Sequence, residues 1–319
     1  MRDKKILVVE DLRVYYDAPT GVVKAVDGVN LNLDENEILG IAGESACGKS
    51  TFAYGLIRLC EYPRYIAGGR IFFEDMNLLE IREEEMRKVR REKITLIPQA
   101  AMNALNPVLR IESQFDDVLD PLNIPKDEAK QLVSTSLKNL GLSPDIVKKY
   151  PHELSGGMKQ RVVISMATIL NPKILIADEP TSALDVVSQR EIIQLIMDLV
   201  KGIKSSMILI THDMAIHAEC VDKIAVMYAG QIVETGDVKG IFEEPRHPYA
   251  KILISSVPSL RRKEIPKGTL GKPPDMVNPP SGCRFHPRCS YASEICAQKE
   301  PELIEMEDGR KVACHLYQN

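Results

Sequence analysis

The sequence predicts an α/β fold built around a largely parallel sheet. Segments rich in Ile, Leu and Val alternate along the chain with stretches whose apolar residues recur at helical spacing. Two of the strand-like segments are followed directly by residues typical of functional sites. One is followed by a glycine-rich loop and the other by a pair of carboxylates. The strand-like segments are Ile38 to Ile41, Ile94 to Ile97, Ile174 to Ala177, Met207 to Ile210 and Ile224 to Met227.

The strand pattern is interrupted between about Asn103 and Leu170, where apolar residues recur at helical spacing instead. This stretch predicts a helical insertion. From Pro258 to Gly282 the chain is rich in proline, glycine and charge, which predicts a linker. We therefore expect one domain over residues 1–257, with its helical part at about 103–170, and an extension over 258–319. We find no internal repeat, so the chain carries a single copy of the domain.

The composition and charge of the chain limit the kinds of partner that the protein can bind directly. The chain has 319 residues with 41 basic and 45 acidic side chains, so no basic field attracts nucleic acid. The N-terminus enters the strand-like Ile6 to Val9 without an apolar leader, and no apolar run reaches the length of a membrane span. We expect a cytosolic protein that reaches a membrane only through a partner.

A phosphate-binding loop follows the first strand of the sheet. It reads Gly43-Glu44-Ser45-Ala46-Cys47-Gly48-Lys49-Ser50 and opens an apolar helix. This P-loop pattern directs backbone amides at phosphate oxygens, while Lys49 reaches the β and γ phosphates and the Ser50 hydroxyl ligates Mg²⁺. Thr51 adds a contact to the α phosphate. A plain glycine-rich turn would not explain the strand before the loop or the helix after it.

Two carboxylates end a second apolar strand, Ile174 to Ala177. In this position Asp178 suits a Mg²⁺ site and Glu179 suits the activation of the attacking water. A solvated strand end would look the same in isolation. The phosphate loop upstream favours the catalytic interpretation.

The most specific motif is the octet Leu154-Ser155-Gly156-Gly157-Met158-Lys159-Gln160-Arg161, which precedes an apolar helix. With this octet the chain resembles the ABC ATPases, whose signature motif lies at a helix N-terminus. The resemblance implies that Ser155, Gly156, Gly157 and Gln160 act on ATP bound to the opposite subunit. It also implies that the subunit works as a dimer.

The other positions of the ABC family are present in order. Gln99 matches the Q-loop, Asp185 ends the D-loop Ser182-Ala183-Leu184-Asp185, and His212 matches the switch histidine that contacts the γ-phosphate. Tyr16 resembles the aromatic residue that stacks on adenine, although two packing tyrosines, Tyr15 and Tyr16, remain an alternative.

The resemblance implies a Mg²⁺ site and a fold. Mg²⁺ would be held through Ser50, Gln99 and Asp178, and Cys47 and Gly48 would join the ATP cradle. The implied fold is a P-loop NTPase cassette with a RecA-like mixed sheet core, an antiparallel β subdomain and a helical subdomain. Ala46 departs from the family, since glycine is usual at that place in the loop.

Four of the seven cysteines lie near the C-terminus, in the spacing Cys-x5-Cys-x6-Cys-x17-Cys. These residues, Cys283, Cys289, Cys296 and Cys314, supply enough thiolates for an iron-sulfur cluster or a zinc ion. Unligated thiols are a third reading. His286 and His315 are alternative ligands, and Arg284 and Arg288 could offset the charge of a thiolate cluster. A metal would add folding energy to a short segment with few apolar residues.

The C-terminal segment is similar to the extension of the oligopeptide and dipeptide permease ATPases. The likeness rests on Arg246-His247-Pro248-Tyr249 and on Cys-Arg-Phe-His-Pro-Arg-Cys. In the D-type members the four cysteines are associated with a [4Fe-4S] cluster, and the segments 67–71 and 103–108 also look D-type. The resemblance implies an F-type ATPase partner, or a homodimer when the subunit is isolated, together with two transmembrane permease subunits and, indirectly, an extracytoplasmic binding protein.

The expected activity is ATP hydrolysis that drives import of dipeptides or oligopeptides, at the cytoplasmic side of the membrane. Related importers carry oligosaccharides or nickel, which are the alternatives within the family. A soluble ABC ATPase acting on nucleic acid or ribosomes, and a regulatory metal sensor, are rivals from other classes. The first of these rivals usually has paired cassettes or a long coiled-coil insertion, and this chain has neither.

Overall fold

Two separate compact units make up the part of the chain that the structure describes. The structure is a computed structural model that describes residues 4–182, 185–255 and 271–318. One unit combines the described residues of 1–81 with those of 209–319, and the other contains those of 82–208. The predicted boundary at 257/258 lies outside the described residues. The described C-terminal residues 271–318 belong to the same unit as the phosphate loop.

The strands and helices follow the predicted α/β order. The strands are β1 (Lys5–Ala18), β2 (Gly21–Asp34), β3 (Ile38–Ala42), β4 (Arg64–Phe73), β5 (Met76–Asn77), β6 (Ile94–Ile97), β7 (Ile174–Asp178), β8 (Ser206–Ile210), β9 (Lys223–Tyr228), β10 (Gln231–Asp237), β11 (Ile304–Glu305) and β12 (Lys311–Val312). The helices are α1 (Lys49–Leu56), α2 (Glu83–Glu92), α3 (Ile111–Leu119), α4 (Lys126–Asn139), α5 (Gly156–Thr168), α6 (Val186–Ile203), α7 (Met214–Cys220), α8 (Val238–Glu243), α9 (Pro248–Ser255) and α10 (Glu294–Gln298). The five strands expected from the sequence are confirmed as β3, β6, β7, β8 and β9.

The first unit contains an antiparallel sheet in the order β2-β1-β4-β5. Its long strands alternate apolar and polar residues, so one face of β1 buries Leu7, Val9, Leu12 and Val14. This alternation is typical of a sheet with one covered face.

A second set of strands in the same unit holds the phosphate loop. All residues of β3 are buried, and β3 pairs in parallel with β9. The chain then reverses, since β10 is antiparallel to β9 and β12 is antiparallel to β10. The C-terminal segment therefore adds strands to the phosphate-loop unit, with Glu234 opposite Val312.

The second unit contains the carboxylate strand. β6 and β7 pair in parallel, and every residue of β7 is buried. Between these strands the described elements are all helical, from a short 3₁₀ turn at Ala101–Asn103 to the end of α5. The predicted interruption of the strand pattern is confirmed.

The expectation of a largely parallel sheet needs correction. β3 with β9 and β6 with β7 are parallel pairs, but β9 with β10 and β10 with β12 are antiparallel. The short connection from Tyr228 to Gln231 allows only a hairpin, because a parallel crossover needs a dozen residues or more. The mixed sheet implied by the family resemblance is the better description.

Among the described residues, no helix combines the length and apolar character needed to cross a membrane.

Candidate functional site

The phosphate loop has a backbone that only particular residues permit. Gly43 and Gly48 allow the chain to pass close to its neighbours, since a Cβ at these positions would lie 2.3 Å from the Met227 carbonyl oxygen and 2.1 Å from that of Ala25. Ala46 has a φ of 63°, in the left-handed region that favours glycine. The loop thus accepts the unusual alanine at a conformational cost of about 1 kcal/mol.

Lys49 lies inside the loop that it serves. The residue is 5% exposed, and its Nζ donates to the carbonyl oxygens of Gly43 at 2.8 Å and Glu44 at 2.9 Å. The Cys47 sulfur lies 3.7 Å from the same Nζ, and burial raises the pKa of the Cys47 thiol. The ammonium is therefore held at the centre of the loop, where phosphate oxygens could replace the carbonyls.

Tyr16 and Tyr15 leave β1 in different directions. The Tyr16 hydroxyl lies 2.9 Å from the Thr51 hydroxyl, in the first turn of α1. The Tyr15 hydroxyl instead donates to Asp27 at 2.6 Å, and its ring packs edge-on against Tyr65. Of the two tyrosines, Tyr16 is the one that contacts the phosphate-loop helix. Its role at adenine stays a prediction.

The carboxylate pair ends β7 in the second unit. Asp178 is fully buried, and the next residue, Glu179, has a φ of 44°. A left-handed glutamate is strained, and such strain often marks functional sites. The Glu179 carboxylate accepts a 3.0 Å hydrogen bond from the Gln99 side-chain amide. The structure thus brings together the predicted Q-loop glutamine and the carboxylate predicted to activate the attacking water.

The signature octet caps α5. The Ser155 hydroxyl accepts from the Met158 backbone amide at 3.3 Å, and Ser155 and Gly156 are exposed. Gly157 is half-buried and has open space where a Cβ would lie. Gln160 differs, because it is 1% exposed and donates to the Pro180 carbonyl inside its own subunit.

The D-loop is described only in part, because Ala183 and Leu184 lie outside the described residues. Asp185 is exposed and caps α6, accepting hydrogen bonds from the Val187 and Ser188 amides at 3.1 Å. The hydrogen bonds from Ser188 and Val187 lower the pKa of the Asp185 carboxyl. Val187, in the same turn, is 69% exposed although it is apolar.

His217, which the sequence analysis missed, holds the backbone next to the predicted switch histidine, His212. His212 is exposed, directly after Thr211 at the end of β8. His217 is fully buried, and its Nε2 donates to the Thr211 carbonyl at 3.1 Å. Its ring also lies against Gly40 of β3, where a Cβ would approach Nδ1 to 2.4 Å. The only sequence feature that pointed to this contact was Gly40, three residues before the phosphate loop begins at Gly43.

The four C-terminal cysteines line a single cavity of about 80 Å³ in the first unit. Burial, followed by the neighbouring thiols, raises the pKa of Cys283 to about 11. The Cys289 sulfur accepts from the Tyr291 amide at 3.4 Å, and the Cys296 sulfur lies 3.4 Å from the Ser293 hydroxyl. No group of three or more His, Cys, Asp or Glu side chains within the described ranges is arranged to hold a single metal ion.

The charged residues near this cavity do not act as the sequence suggested. Arg284 and Arg288 were expected to offset thiolate charge, but Arg284 pairs with Asp27 and Arg288 pairs with Glu44. His286 and His315 line the cavity, and each directs one ring nitrogen at a backbone carbonyl, 2.9 Å and 2.8 Å away.

A wider cleft of about 920 Å³ runs along β1, β2 and β10. Among the residues predicted to bind nucleotide or metal, only Cys283 lines it. Its volume therefore does not mark the nucleotide site.

Two family matches cover complementary parts of the chain. Residues 26–182 match the ABC transporter family, and residues 233–296 match the oligopeptide/dipeptide transporter C-terminal region. The dipeptide transport ATP-binding protein DppD of Caldanaerobacter subterraneus subsp. tengcongensis is 44% identical, with 98% of this chain and 97% of the relative covered. The oligopeptide transport ATP-binding protein OppD of Bacillus subtilis is also 44% identical, with 99% and 90% covered.

Solved ATP-binding cassettes share the fold. A dimeric cassette in a post-hydrolysis state, bound to ADP and Pi, matches with a TM-score of 0.65 and 26% identity, covering 73% of this chain and 98% of the other. The cbiO1 subunit of the cbiONQ ABC transporter complex of Clostridium perfringens matches with a TM-score of 0.65 and 29% identity, covering 76% and 92%.

The buried His217 predicts a pH-dependent stability. Burial lowers its pKa from 6.5 to about 4, so the unfolded chain binds more protons than the folded chain between these values. Stability should therefore be fully present above pH 6.5 and fall by about 3 kcal/mol as the pH drops to 4. His217→Gln should flatten this part of the profile. Urea unfolding at several pH values measures it, and an unchanged slope in the variant would contradict the assignment.

Proposed function

Because the chain belongs to the ATP-binding subunits of the dipeptide and oligopeptide ABC transporters, we propose that its ATP hydrolysis drives import of short peptides. The observation that carries this proposal is the match to curated peptide-transport subunits over nearly the whole chain, including the C-terminal region. That region favours a transporter subunit over a soluble ABC ATPase. Oligosaccharides and nickel remain alternative cargoes within the family.

The chain's own residues divide the hydrolytic step between binding and activation. Lys49 and the loop amides bind the β and γ phosphates, and Tyr16 stacks on adenine. Mg²⁺, when bound, neutralises charge on the phosphates, and Ser50, Gln99 and Asp178 are the residues that would hold it. Glu179 orients the attacking water while His212 contacts the γ-phosphate. The hydrogen bond from Gln99 to Glu179 supports a Q-loop that senses the state of the catalytic carboxylate.

The second half of each ATP site comes from another subunit. Ser155 and Gly156 are exposed at the N-terminus of α5, where backbone amides and the helix dipole attract an anion. The exposed Asp185 and Val187 lie on the same unit and suit an interface. ATP binding then closes the dimer, and hydrolysis reopens it. Gln160, which is buried, positions the end of β7 through Pro180.

Replacing the catalytic carboxylate separates binding from hydrolysis. We expect Glu179→Gln to bind ATP with the affinity of the parent chain, to lower kcat by about 100-fold or more, and to accumulate an ATP-bound dimer. A steady-state ATPase assay and size-exclusion chromatography with ATP measure these effects. Glu128→Gln, an exposed change on α4, is the matched control and should keep parental turnover. Full turnover in Glu179→Gln would contradict the catalytic role of Glu179.

We propose that the four-cysteine cavity holds an iron-sulfur cluster in preference to a zinc ion. One zinc ion would bring its sulfurs to about 3.8 Å of each other at a Zn–S distance of about 2.3 Å. The described side chains form no group arranged for a single ion, yet all four cysteines line one cavity. A polynuclear cluster holds its four cysteines farther apart, and cysteine thiolates are its usual ligands. We assign the cluster a structural role, in which it adds folding energy to the C-terminal segment.

The partners follow from the family. We propose two transmembrane permease subunits, a peripheral position at the cytoplasmic face of the membrane, and an F-type ATPase subunit as the natural dimer partner. A homodimer would form when the subunit is isolated. Co-purification with permease subunits would exclude a free-standing metal sensor.

The cluster proposal predicts a specific metal content. Anaerobic purification should give about four iron and four sulfide per chain, with little zinc. Cys289→Ser should lower the bound iron and the thermal stability while ATP affinity changes by less than about twofold, because the thiol does not contact nucleotide. Cys60→Ser, outside the cavity, is the control. Iron content that is the same in Cys289→Ser and the parent would refute the ligand assignment.

A further inference from the structure

Arg288 joins the phosphate loop to residues 283–289, the cysteine segment, which carries Cys283 and Cys289. Arg288, the residue before Cys289, donates from both terminal nitrogens to the Glu44 carboxylate, at 2.9 and 3.0 Å. One of these nitrogens also lies 3.2 Å from the Tyr228 hydroxyl. The Arg288 side chain is only 7% exposed. A paired guanidinium and carboxylate with this geometry is among the stronger polar contacts in proteins.

Glu44 lies in the phosphate loop and is engaged through its backbone as well. Its amide donates to the Tyr249 hydroxyl at 2.8 Å, and its carbonyl accepts from the Lys49 ammonium at 2.9 Å. Glu44 therefore holds the catalytic lysine through its carbonyl and pairs with Arg288 through its side chain. A shift of Glu44 would move both groups.

A second arginine fastens the same segment to the other side of the loop. Arg284 donates to the Ala229 carbonyl at 2.6 Å and pairs with Asp27. The next residue, Gly230, donates its amide to the Cys47 carbonyl of the phosphate loop at 2.8 Å. The segment that carries Cys283 and Cys289 is therefore attached at two points around the loop.

An aromatic cluster makes this attachment rigid. Phe285 lies between the two arginines, is 1% exposed, and packs against the rings of Tyr228 and Tyr249 with centroid distances of 5.1 and 5.5 Å. Both tyrosines also contact the Arg288–Glu44 pair. The Tyr228 hydroxyl lies within hydrogen-bond distance of Arg288, and the Tyr249 hydroxyl accepts from the Glu44 amide. Movement of the segment cannot be absorbed locally, because packed cores deform little.

We propose that Arg288 is a positioning residue for the phosphate loop and that it couples the cysteine segment to ATP affinity. The inference rests on the proposed function only in that the loop binds ATP. Lysine cannot replace the paired contact, since it offers a point charge in place of a planar fork. Loss of the pair would release Glu44 and weaken the arrangement of the loop before nucleotide binds. By linkage, ATP binding must strengthen the attachment of the cysteine segment by the same factor by which that attachment raises ATP affinity.

The test is a double-mutant cycle on nucleotide affinity. Arg288→Lys, Glu44→Gln and the double variant are compared with the parent by binding of a fluorescent ATP analogue with Mg²⁺. Each single variant should bind about tenfold more weakly, and the double variant about as weakly as either single one, because both remove one interaction. In Arg288→Lys the KM for ATP should rise as affinity falls, while kcat at saturating ATP stays within about twofold.

Arg310→Lys is the matched control. The Arg310 side chain is also buried, at 5% exposure, and lies in the C-terminal segment, but it donates to Asp308 and to carbonyls of Gly240 and Glu244. This variant should lose stability and keep its ATP affinity. If Arg288→Lys does not fold, Glu44→Gln still tests the pair, since the amide has the size of the carboxylate.

Hydrogen exchange gives the reciprocal readout. A non-hydrolysable ATP analogue should slow amide exchange across residues 283–289 in the parent and leave it unchanged in Arg288→Lys. ATP affinity within twofold of the parent in both single variants, or exchange that ignores the analogue in the parent, would overturn the coupling. A parent chain that binds no ATP at all would instead contradict the proposed function.

Discussion

A buried ammonium sets the main constraint on the phosphate-loop unit. Lys49 is 5% exposed, and desolvating such a charge is costly unless oxygens surround it. The carbonyls of Gly43 and Glu44 meet this need, and they can do so only because the loop turns tightly around the lysine. The close approach at Gly43 and Gly48, the left-handed Ala46 and the buried strand β3 all serve this turn.

The same constraint explains why the C-terminal segment matters to the nucleotide site. A loop wrapped around a charge has little apolar contact of its own, so its stability must come from what surrounds it. Tyr249, Arg288 and, through Gly230, the chain near Arg284 supply that support. The segment is short, yet it joins the sheet through β12 and packs Phe285 into an aromatic cluster.

Much of the fold was predictable because its signals are local. A strand such as β7 reads as an apolar run, and α5 reads as a capped helical pattern after Ser155, so neither needs distant information. The roles of Arg288 and His217 could not be predicted. Arg288 meets Glu44 across 244 residues of sequence, whereas the sequence alone suggested that its charge offsets that of the neighbouring thiolates. The partner of His217 is a backbone carbonyl, which leaves no residue pattern in the sequence.

In the proposed mechanism, one subunit holds only part of each ATP site. ATPase activity per chain, measured from nanomolar to micromolar concentrations of the isolated protein, tests it most directly. Specific activity should rise with protein concentration and level off where an ATP-bound dimer forms, as seen by light scattering of the same samples. Specific activity that stays constant across this range, in samples that remain monomeric, would contradict it.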